Sequence, residues 1–191
     1  INPEAVYDFF AYQYIPDPKT IFKNIHKLNP GHTLTLSENS QAIKPYWDLS
    51  FENTQKRSEA EIAEELLHKI DESTKLRMIS DVPLGAFLSG GVDSSGVVAL
   101  MAKNSEQDVT TCSIGFDAKK FDETEYAKQV AKQYHTDHHE LTVTENVTDN
   151  LVHIASFFDE PFADPSMVPT FFVSQLARKK VTVALAGDGG D

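Results

Sequence analysis

A short loop rich in glycine and hydroxyl groups, Ser89-Gly90-Gly91-Val92-Asp93-Ser94-Ser95, is the segment of this sequence best suited to bind phosphate. It follows an apolar run and precedes a helix that the sequence predicts over residues 94–103. Glycines let main-chain N–H groups approach an anion, and the hydroxyls and the first free N–H groups of the helix are further donors. No lysine follows the glycines, so this is not the Gly-x-x-x-x-Gly-Lys-Ser/Thr loop that commonly binds a nucleotide and delivers its γ-phosphate. If the loop binds a nucleotide, we expect a different phosphate bond to be cleaved.

The elements that must position this loop alternate along the later part of the chain. Runs typical of strands occupy residues 83–88, 109–116, 138–143 and 181–186, and runs typical of helices occupy residues 94–103, 122–134, 145–157 and 165–179. Strands separated by helices in this way are typical of βαβ units. We therefore predict an α/β fold with a parallel, doubly wound sheet.

A capping box, Ser58-Glu59-Ala60-Glu61, begins a predicted helix that runs to about residue 79 and marks a change of domain. Before it, Asn2 and Pro3 predict the start of another helix, and residues 21–47 predict a small hairpin with a turn at residues 37–40. We interpret residues 1–57 as a small N-terminal linker segment and residues 58–191 as the domain that carries the phosphate loop.

The composition of the chain limits which binding partners and which cellular locations we expect for the protein. The chain has 191 residues, a net charge of −12 and a single cysteine, Cys112. The negative balance, with only residues 178–180 densely basic, argues against nucleic acid as the main partner. No apolar run is long enough to cross a membrane and no signal-peptide pattern begins the chain, so we expect a soluble, cytoplasmic protein. We predict that Cys112 is a buried strand residue and not a nucleophile.

Several motifs occur in the order that one enzyme family has. The phosphate loop matches the Ser-Gly-Gly-x-Asp-Ser loop of the N-type ATP pyrophosphatases. The chain resembles the glutamine-hydrolysing asparagine synthetases in particular, through Asp81-Val82-Pro83-Leu84-Gly85, Cys112-Ser113-Ile114-Gly115-Phe116-Asp117, Asp159-Glu160-Pro161 and Ala186-Gly187-Asp188-Gly189-Gly190-Asp191. The resemblance covers nearly the whole chain, and it implies an adenine nucleotide alpha-hydrolase-like, Rossmann-like fold that binds ATP.

The resemblance also implies a set of site residues. The residues that would contact the nucleotide are Phe87, Leu88, Ser89, Gly90, Gly91, Ser94, Ser95, Ile114, Gly115 and Gly187. Asp93 and Asp191 would hold Mg²⁺, Asp188 would do likewise or position the adenylate, and these three aspartates are the predicted catalytic residues. The glycine-marked segments follow predicted strands at residues 88, 114 and 186, and ligands bind beyond the carboxyl ends of parallel strands. All three segments can therefore meet around one nucleotide.

A two-step reaction follows from the same resemblance. ATP would adenylate the side-chain carboxylate of aspartate with release of pyrophosphate, and ammonia would then attack the acyl-adenylate to give asparagine. In the family, ammonia comes from glutamine through a glutaminase domain with an N-terminal cysteine nucleophile, whereas this chain begins with Ile1. Residues 1–57 would then be the end of a glutaminase domain and its linker, and residues 58–191 a synthetase domain truncated at its C-terminal side. The whole enzyme could form a homodimer.

Two other functions remain open at this level. Asparagine-forming members carry a stretch with Thr and Arg before the last helix, whereas this sequence has Glu160-Pro161-Phe162-Ala163-Asp164. An amidotransferase acting on another carboxylate, such as a saccharide, peptide or β-lactam precursor, is therefore one alternative, and Asp164 can be a simple helix cap. A non-catalytic nucleotide-binding fragment is the other.

A histidine cluster, formed by His135, His138 and His139, raises the question of a metal site. Neighbouring residues of a strand point to opposite faces, so His138 and His139 cannot both reach one ion from a strand. We favour a corner between a helix and a strand.

Overall fold

The structure is a computed structural model that describes residues 1–51, 56–116, 123–143 and 147–189. The chain divides into two compact units, one formed by Ile1–Lys56 with Asp149–Met167 and the other by Arg57–Thr148 with Val168–Asp191. Among the residues that the structure describes, no helix is long and apolar enough to cross a membrane.

The first unit begins with helix α1 (Pro3–Tyr12), which starts where the sequence predicted. Asn2 is its N-cap, and the side-chain oxygen of Asn2 accepts a hydrogen bond from the N–H of Glu4 at 3.1 Å. The helix ends at Gln13, which takes the left-handed conformation with φ of 66°. Its buried face packs in a small core that contains Ala5, Ile15 and Ile21.

The same unit contains the predicted hairpin, whose antiparallel strands are β1 (His32–Ser37) and β2 (Ser40–Pro45). The hydroxyl oxygens of Ser37 and Ser40 lie 2.6 Å apart and close its turn. Helix α5 (Val147–Ala155) leads into the second segment of this unit. An ion pair between Lys27 and Glu160 joins that segment to the first.

The second unit begins with helix α2 (Glu59–Arg77), and the predicted capping box is confirmed. The N–H of Glu61 donates to Ser58 Oγ at 3.3 Å, and the N–H of Ser58 donates to Glu61 Oε2 at 2.8 Å. Each side chain thus satisfies a main-chain donor that the first turn of a helix leaves free.

A four-stranded parallel sheet forms the centre of the second unit, with strand order β5-β4-β3-β6. Its strands are β3 (Leu84–Phe87), β4 (Thr110–Phe116), β5 (Asp137–Val143) and β6 (Val183–Leu185). The chain places β3, β4 and β5 side by side in one direction and then returns to add β6 on the other side of β3. The point at which the strand order reverses therefore lies between β3 and β6.

Helices pack on both faces of this sheet, because successive residues of a strand point to opposite sides. On one face, Ala86 of β3 and Leu88, directly after β3, pack against α3 (Val92–Asn104) and α4 (Thr124–Tyr134). On the other face, Phe87 and Cys112 pack against α6 (Met167–Arg178) through Val173, Leu176 and Ala177. The predicted parallel, doubly wound α/β fold is confirmed.

Several element boundaries differ from the sequence prediction by a few residues. Helix α3 begins at Val92 and not at residue 94, because Gly91 takes the extended N-cap conformation with φ of −68° and ψ of 164°. Strand β4 ends at Phe116 as predicted, so residues 114 and 115 lie within the strand, and the glycine-marked segment there does not follow the strand as expected. Helix α6 begins at Met167 and not at residue 165. The predicted helix starts at residues 122 and 145 lie outside the described residues.

The late start of α6 reflects a turn that precedes it. The carboxylate of Asp164 accepts a hydrogen bond from the N–H of Ser166 at 2.7 Å. Hydrogen bonding by the Ser166 side chain, and next by this N–H, lowers the pKa of Asp164. Asp164 therefore caps a turn just before the helix, as a short polar side chain can do without any substrate.

A buried carboxylate ties α2 to the end of α3. Asp71 accepts hydrogen bonds from Lys75 Nζ at 2.8 Å and from Asn104 Nδ2 at 2.6 Å, and Lys103 Nζ lies 3.6 Å away. These partners, Lys75 above all, lower the pKa of Asp71 to about 2.

We expect the stabilising effect of Asp71 to depend on pH. Because its pKa is depressed below the ordinary value of 3.8, its contribution is present above pH 3.8 and is lost as the pH falls towards 2. The free energy of unfolding, measured by urea titration, should differ most between the parent and Asp71→Asn near neutral pH, and the difference should shrink below pH 3.8. Glu72→Gln, on the exposed side of the same helix, is the matched control. A difference for Asp71→Asn that stays constant with pH would contradict this account.

Candidate functional site

A cavity of 650 Å³ lies at the carboxyl ends of β3, β4 and β6. Its volume is within the range of about 300–1,000 Å³ that is usual for small-molecule sites. Its wall consists of Phe87, Leu88, Ser89, Gly91, Asp93, Ser94, Cys112, Ser113, Ile114, Phe116, Glu123, Pro169, Thr170, Val173, Ala186, Gly187, Asp188 and Gly189. The cavity therefore occupies the position at which open parallel sheets bind their ligands.

The start of helix α3 opens into this cavity. Gly91 is its N-cap and makes no side-chain capping bond, and the first bond inside the helix runs from the N–H of Ser95 to the carbonyl of Gly91 at 3.0 Å. The N–H groups of residues 92–94 precede that bond and have no helical partner. Together with the positive end of the helix dipole, they make this helix start attractive to an anion.

Hydroxyl groups hold the loop before α3 in shape. Ser89 Oγ lies 2.9 Å from Ser94 Oγ, and it accepts a hydrogen bond from the N–H of Gly91 at 3.2 Å. Ser94 Oγ also donates to the carbonyl of Gly91 at 3.3 Å. Both serines line the cavity, so their hydroxyls are available next to the helix start.

Two glycines allow the loops of the site to approach neighbouring main chain. A Cβ atom on Gly187 would lie 2.6 Å from Ser94 N and 2.8 Å from the carbonyl carbon of Asp93. Gly90 has φ of 86°, and a Cβ atom there would lie 2.6 Å from Ala127 N in α4. The loop after β6 therefore packs against the start of α3, and the loop after β3 packs against the start of α4.

Strand β4 contributes Cys112, Ser113, Ile114 and Phe116 to the wall, whereas Gly115 does not belong to it. Cys112, Ile114 and Phe116 share one face of the strand, because side chains alternate between its faces, and Gly115 belongs to the opposite face.

Main-chain groups of β4 also become available at the cavity. The last pairing of β3 with β4 joins Phe87 to Cys112, and the N–H of Leu88 donates to the carbonyl of Cys112 at 2.9 Å. In a parallel ladder the N–H and C=O of every second residue point to the same neighbour. Those of Ile114 therefore point beyond the end of β3, where they form a donor and acceptor pair suited to the edge of a purine.

Most of the predicted nucleotide residues come together here. Those in the wall are Phe87, Leu88, Ser89, Gly91, Asp93, Ser94, Ile114, Gly187 and Asp188. Gly90, Ser95 and Gly115 are not in the wall, and Ser95 Oγ is buried without a hydrogen-bond partner among the described residues. Asp191 lies outside the described residues.

Other wall residues were missed by the sequence reasoning. The alternation of β4 could have identified Cys112 and Phe116, because both share a face with Ile114. Pro169, Thr170 and Val173 of α6, and Glu123 before α4, carry no local signal that links them to the loop.

Cys112 is buried in its strand, as predicted, with 1% of its surface exposed. Burial raises the pKa of its thiol, which keeps the group protonated and poorly nucleophilic.

The histidines lie at a corner between α4 and β5. His135 ends α4 in the left-handed conformation with φ of 53°. His138 contacts hydroxyls of β4, whereas His139 Nε2 lies 3.0 Å from Asp137 Oδ2, so the two rings point to opposite faces as predicted. Within the described ranges, no three His, Cys, Asp or Glu side chains lie close enough to hold a metal ion.

Comparison with known proteins identifies relatives over the whole chain. The sequence profile of a family described as asparagine synthase matches residues 65–191, and that of a glutamine amidotransferase domain matches residues 1–47. A Methanocaldococcus jannaschii protein, provisionally named asparagine synthetase [glutamine-hydrolyzing] 2, is 42% identical over 100% of this chain and 38% of its own length. Asparagine synthetase [glutamine-hydrolyzing] 1 of Bacillus subtilis is 35% identical over 100% of this chain and 30% of its own length. The chain thus spans little more than a third of these relatives at most.

More distant similarity extends to other proteins. Amidase chyE of Penicillium rubens is 28% identical over 92% of this chain and 29% of its own length. Among solved structures, an NMN synthetase from Francisella tularensis superposes with a TM-score of 0.41 at 15% identity, over 65% of this chain and 52% of the other.

Proposed function

Because this chain belongs to the asparagine synthase family, we propose that its second unit binds ATP and supports ATP-dependent amide formation. The observation that carries the proposal is the convergence of the uncapped start of α3, the Ser89 and Ser94 hydroxyls and the Gly187 loop on one cavity. This arrangement suits a nucleotide whose phosphates lie at the helix start. An apolar surface for the base is available beside it, formed by Phe87, Ile114 and Phe116.

The base would lie against strand β4. The N–H and C=O of Ile114, which point past the end of β3, offer one donor and one acceptor side by side, and adenine presents a complementary pair of groups on its edge. Phe87 and Ile114 would cover its faces, since an aromatic and a branched apolar side chain both exclude water from a planar ring. Gly187 would close the far side.

The phosphates would lie at the start of α3. The N–H groups of residues 92–94 and the hydroxyls of Ser89 and Ser94 would stabilise the negative charge of the departing pyrophosphate. Without a lysine in the loop, the charge is left to main-chain donors and to a cation. The residues of this chain would act mainly by positioning and by neutralising charge.

Magnesium fits the donor groups of this region. Asp93 is exposed, lies in the first turn of α3 and lines the cavity with Asp188. Mg²⁺ prefers one or two carboxylates together with phosphate oxygens, so Asp93 would be the first ligand, and Asp191, together with Asp188, completes the proposed set. When bound, the ion neutralises charge on the phosphate oxygens.

The proposed acceptor is the side-chain carboxylate of aspartate. Its oxygen would attack the α-phosphate with loss of pyrophosphate, and ammonia would then displace AMP from the acyl-adenylate to give asparagine. The relatives' names support glutamine as the source of ammonia, and the match of residues 1–47 to a glutamine amidotransferase domain supports the same source. We propose that residues 1–57 are the end of such a domain and its linker to the synthetase domain, in a cytoplasmic enzyme.

A different acceptor is the second candidate. The cap formed by Asp164 and Ser166 gives Asp164 a role that needs no substrate, and the stretch Glu160-Pro161-Phe162-Ala163-Asp164 has no arginine for the α-carboxylate of aspartate. An amidotransferase for a saccharide, peptide or β-lactam precursor would use the same nucleotide cavity.

The test uses the complete gene product that contains this chain, whatever its length, with Mg·ATP and ammonium. AMP and pyrophosphate release are followed with and without aspartate, and asparagine is detected by mass spectrometry. We expect AMP, pyrophosphate and asparagine in equal amounts only when aspartate is present. ATP binding without aspartate-dependent AMP release would favour another acceptor, and absence of ATP binding would overturn the proposal.

A further inference from the structure

A buried polar network joins β5 to β4 next to the cavity, and one of its members, Ser113, is also a wall residue. His138, on β5, has its Nδ1 2.9 Å from Thr111 Oγ1 and its Nε2 3.2 Å from Ser113 Oγ. Thr111 Oγ1 lies in turn 2.8 Å from Thr136 Oγ1. A single imidazole therefore bridges two successive residues on the same face of the neighbouring strand.

The chemistry of this network favours a neutral ring. Thr111 and Ser113 are 0% and 3% exposed, and a neutral imidazole has one donor and one acceptor that these hydroxyls can satisfy in either tautomer. Burial lowers the pKa of His138; the charge of Glu140 opposes that shift, and His139 and Lys128 add to it. The ring can thus make both bonds at neutral pH without a buried charge.

The network is placed where β4 loses support from one side. Strand β3 pairs with β4 only as far as Cys112, whereas β5 accompanies β4 to Phe116. Among the described residues, β4 therefore pairs beyond Cys112 with β5 and with no other strand. The bond from His138 to Ser113 reinforces that side at the first residue of the unsupported stretch.

This part of β4, from Ser113 to Phe116, contributes to the cavity wall. Thr111 and Ser113 flank Cys112 in sequence, and Cys112, Ser113 and Ile114 all line the cavity. The main-chain pair of Ile114 lies directly after Ser113. Any shift of Ser113 would therefore move the groups proposed to contact the base.

We propose that His138 is a positioning residue for the nucleotide, which holds the end of β4 through Thr111 and Ser113 so that Ile114 keeps its place in the cavity wall. This role rests on the proposed function, because it takes the cavity to be the ATP site. His138 does not itself line the cavity, so its effect is indirect.

The test compares His138→Ala with His139→Ala in the complete protein. His139 lies on the same strand but points the other way and pairs with Asp137, so its replacement removes an imidazole without touching the network. The measurements are the Kd and KM for ATP, kcat, and Tm. For His138→Ala we expect Kd and KM to rise about 10-fold and kcat to change by less than about 2-fold, since binding and not chemistry depends on the wall. His139→Ala should leave all four quantities near their parent values.

A conservative variant separates positioning from stability. His138→Gln keeps one donor and one acceptor, and we expect it to recover part of the lost affinity; it also serves as the test variant if His138→Ala does not fold. A lower Tm with unchanged Kd and KM for both His138 variants would make His138 a structural residue only and overturn the proposal. If the parent protein binds no ATP, the proposed function fails and this role fails with it, whereas failure of this role alone leaves ATP binding by the parent intact.

Discussion

Replacing Gly187 by alanine is expected to reduce ATP-dependent pyrophosphate release by about 100-fold, because small displacements at a reacting centre have effects of that size. The added Cβ would lie 2.6 Å from Ser94 N and 2.8 Å from the carbonyl carbon of Asp93, and both neighbours are main-chain atoms of the first turn of α3. Neither can move aside as a flexible side chain can, so the helix start or the Gly187 loop must shift. The helix start carries the proposed phosphate donors, so its displacement should slow pyrophosphate release and raise the Kd for ATP.

Gly96 provides a matched control for this change. It lies in α3, and apart from the backbone of that helix a Cβ atom there would meet no heavy atom of the described residues within 4 Å. Gly96→Ala should leave ATP binding unchanged and raise the free energy of unfolding by about 0.5–1 kcal/mol, since alanine is the better helix former. If Gly187→Ala binds ATP as the parent does, the close packing of the two loops is not needed for the nucleotide.

Replacing Asp93 by asparagine is expected to have an effect of similar or larger size. Its carboxylate is exposed in the first turn of α3 and lines the cavity, which is where a cation would meet the phosphates. Asparagine keeps the shape and removes the charge, so we expect pyrophosphate release to fall by about 100- to 1,000-fold, and the Mg²⁺ concentration for half-maximal rate to rise. Initial rates measured over a Mg²⁺ titration at saturating ATP check both effects.

Measuring stability as well as Mg²⁺ dependence separates two effects of Asp93: binding of Mg²⁺ and stabilisation of helix α3. A carboxylate in the first turn favours the helix by about 0.3–1 kcal/mol, so some loss of stability is expected on that ground alone. Glu59→Gln, in the first turn of α2, removes the same kind of charge away from the cavity and should lose stability without any change in Mg²⁺ dependence. An Mg²⁺ titration of Asp93→Asn that matches the parent would exclude Asp93 as a ligand.

Elements whose causes are local were predictable from the sequence. The capping box of Ser58 and Glu61, the N-cap of Asn2 and the turn at Ser37 and Ser40 each involve residues no more than a few positions apart. The alternation of strands and helices likewise follows from the period of apolar residues. The phosphate loop belongs to the same class, since Ser89, Gly91 and Ser94 bond among themselves.

Residues whose role depends on distant partners were not predictable in the same way. Gly90 and Gly187 are both loop glycines, yet Gly90 packs against α4 and only Gly187 packs against the start of α3 within the cavity wall. Pro169, Thr170 and Val173 enter the wall because α6 covers the sheet face that Cys112 and Ile114 present. No sequence pattern near Pro169, Thr170 and Val173 indicates that they pack against this face of the sheet.

The sequence by itself thus determined the class of fold, the phosphate loop and the family, because local hydrogen bonds and apolar periodicity depend on residues that are close together in the chain. The tertiary structure alone decided which face of β4 forms the wall, and so placed Ile114 in the cavity and turned Gly115 away. It also decided that His138 lies behind that wall, against Thr111 and Ser113 of another strand. The physical reason is that strand register and helix packing bring together residues far apart in the chain, and their contacts exist only once the sheet has formed.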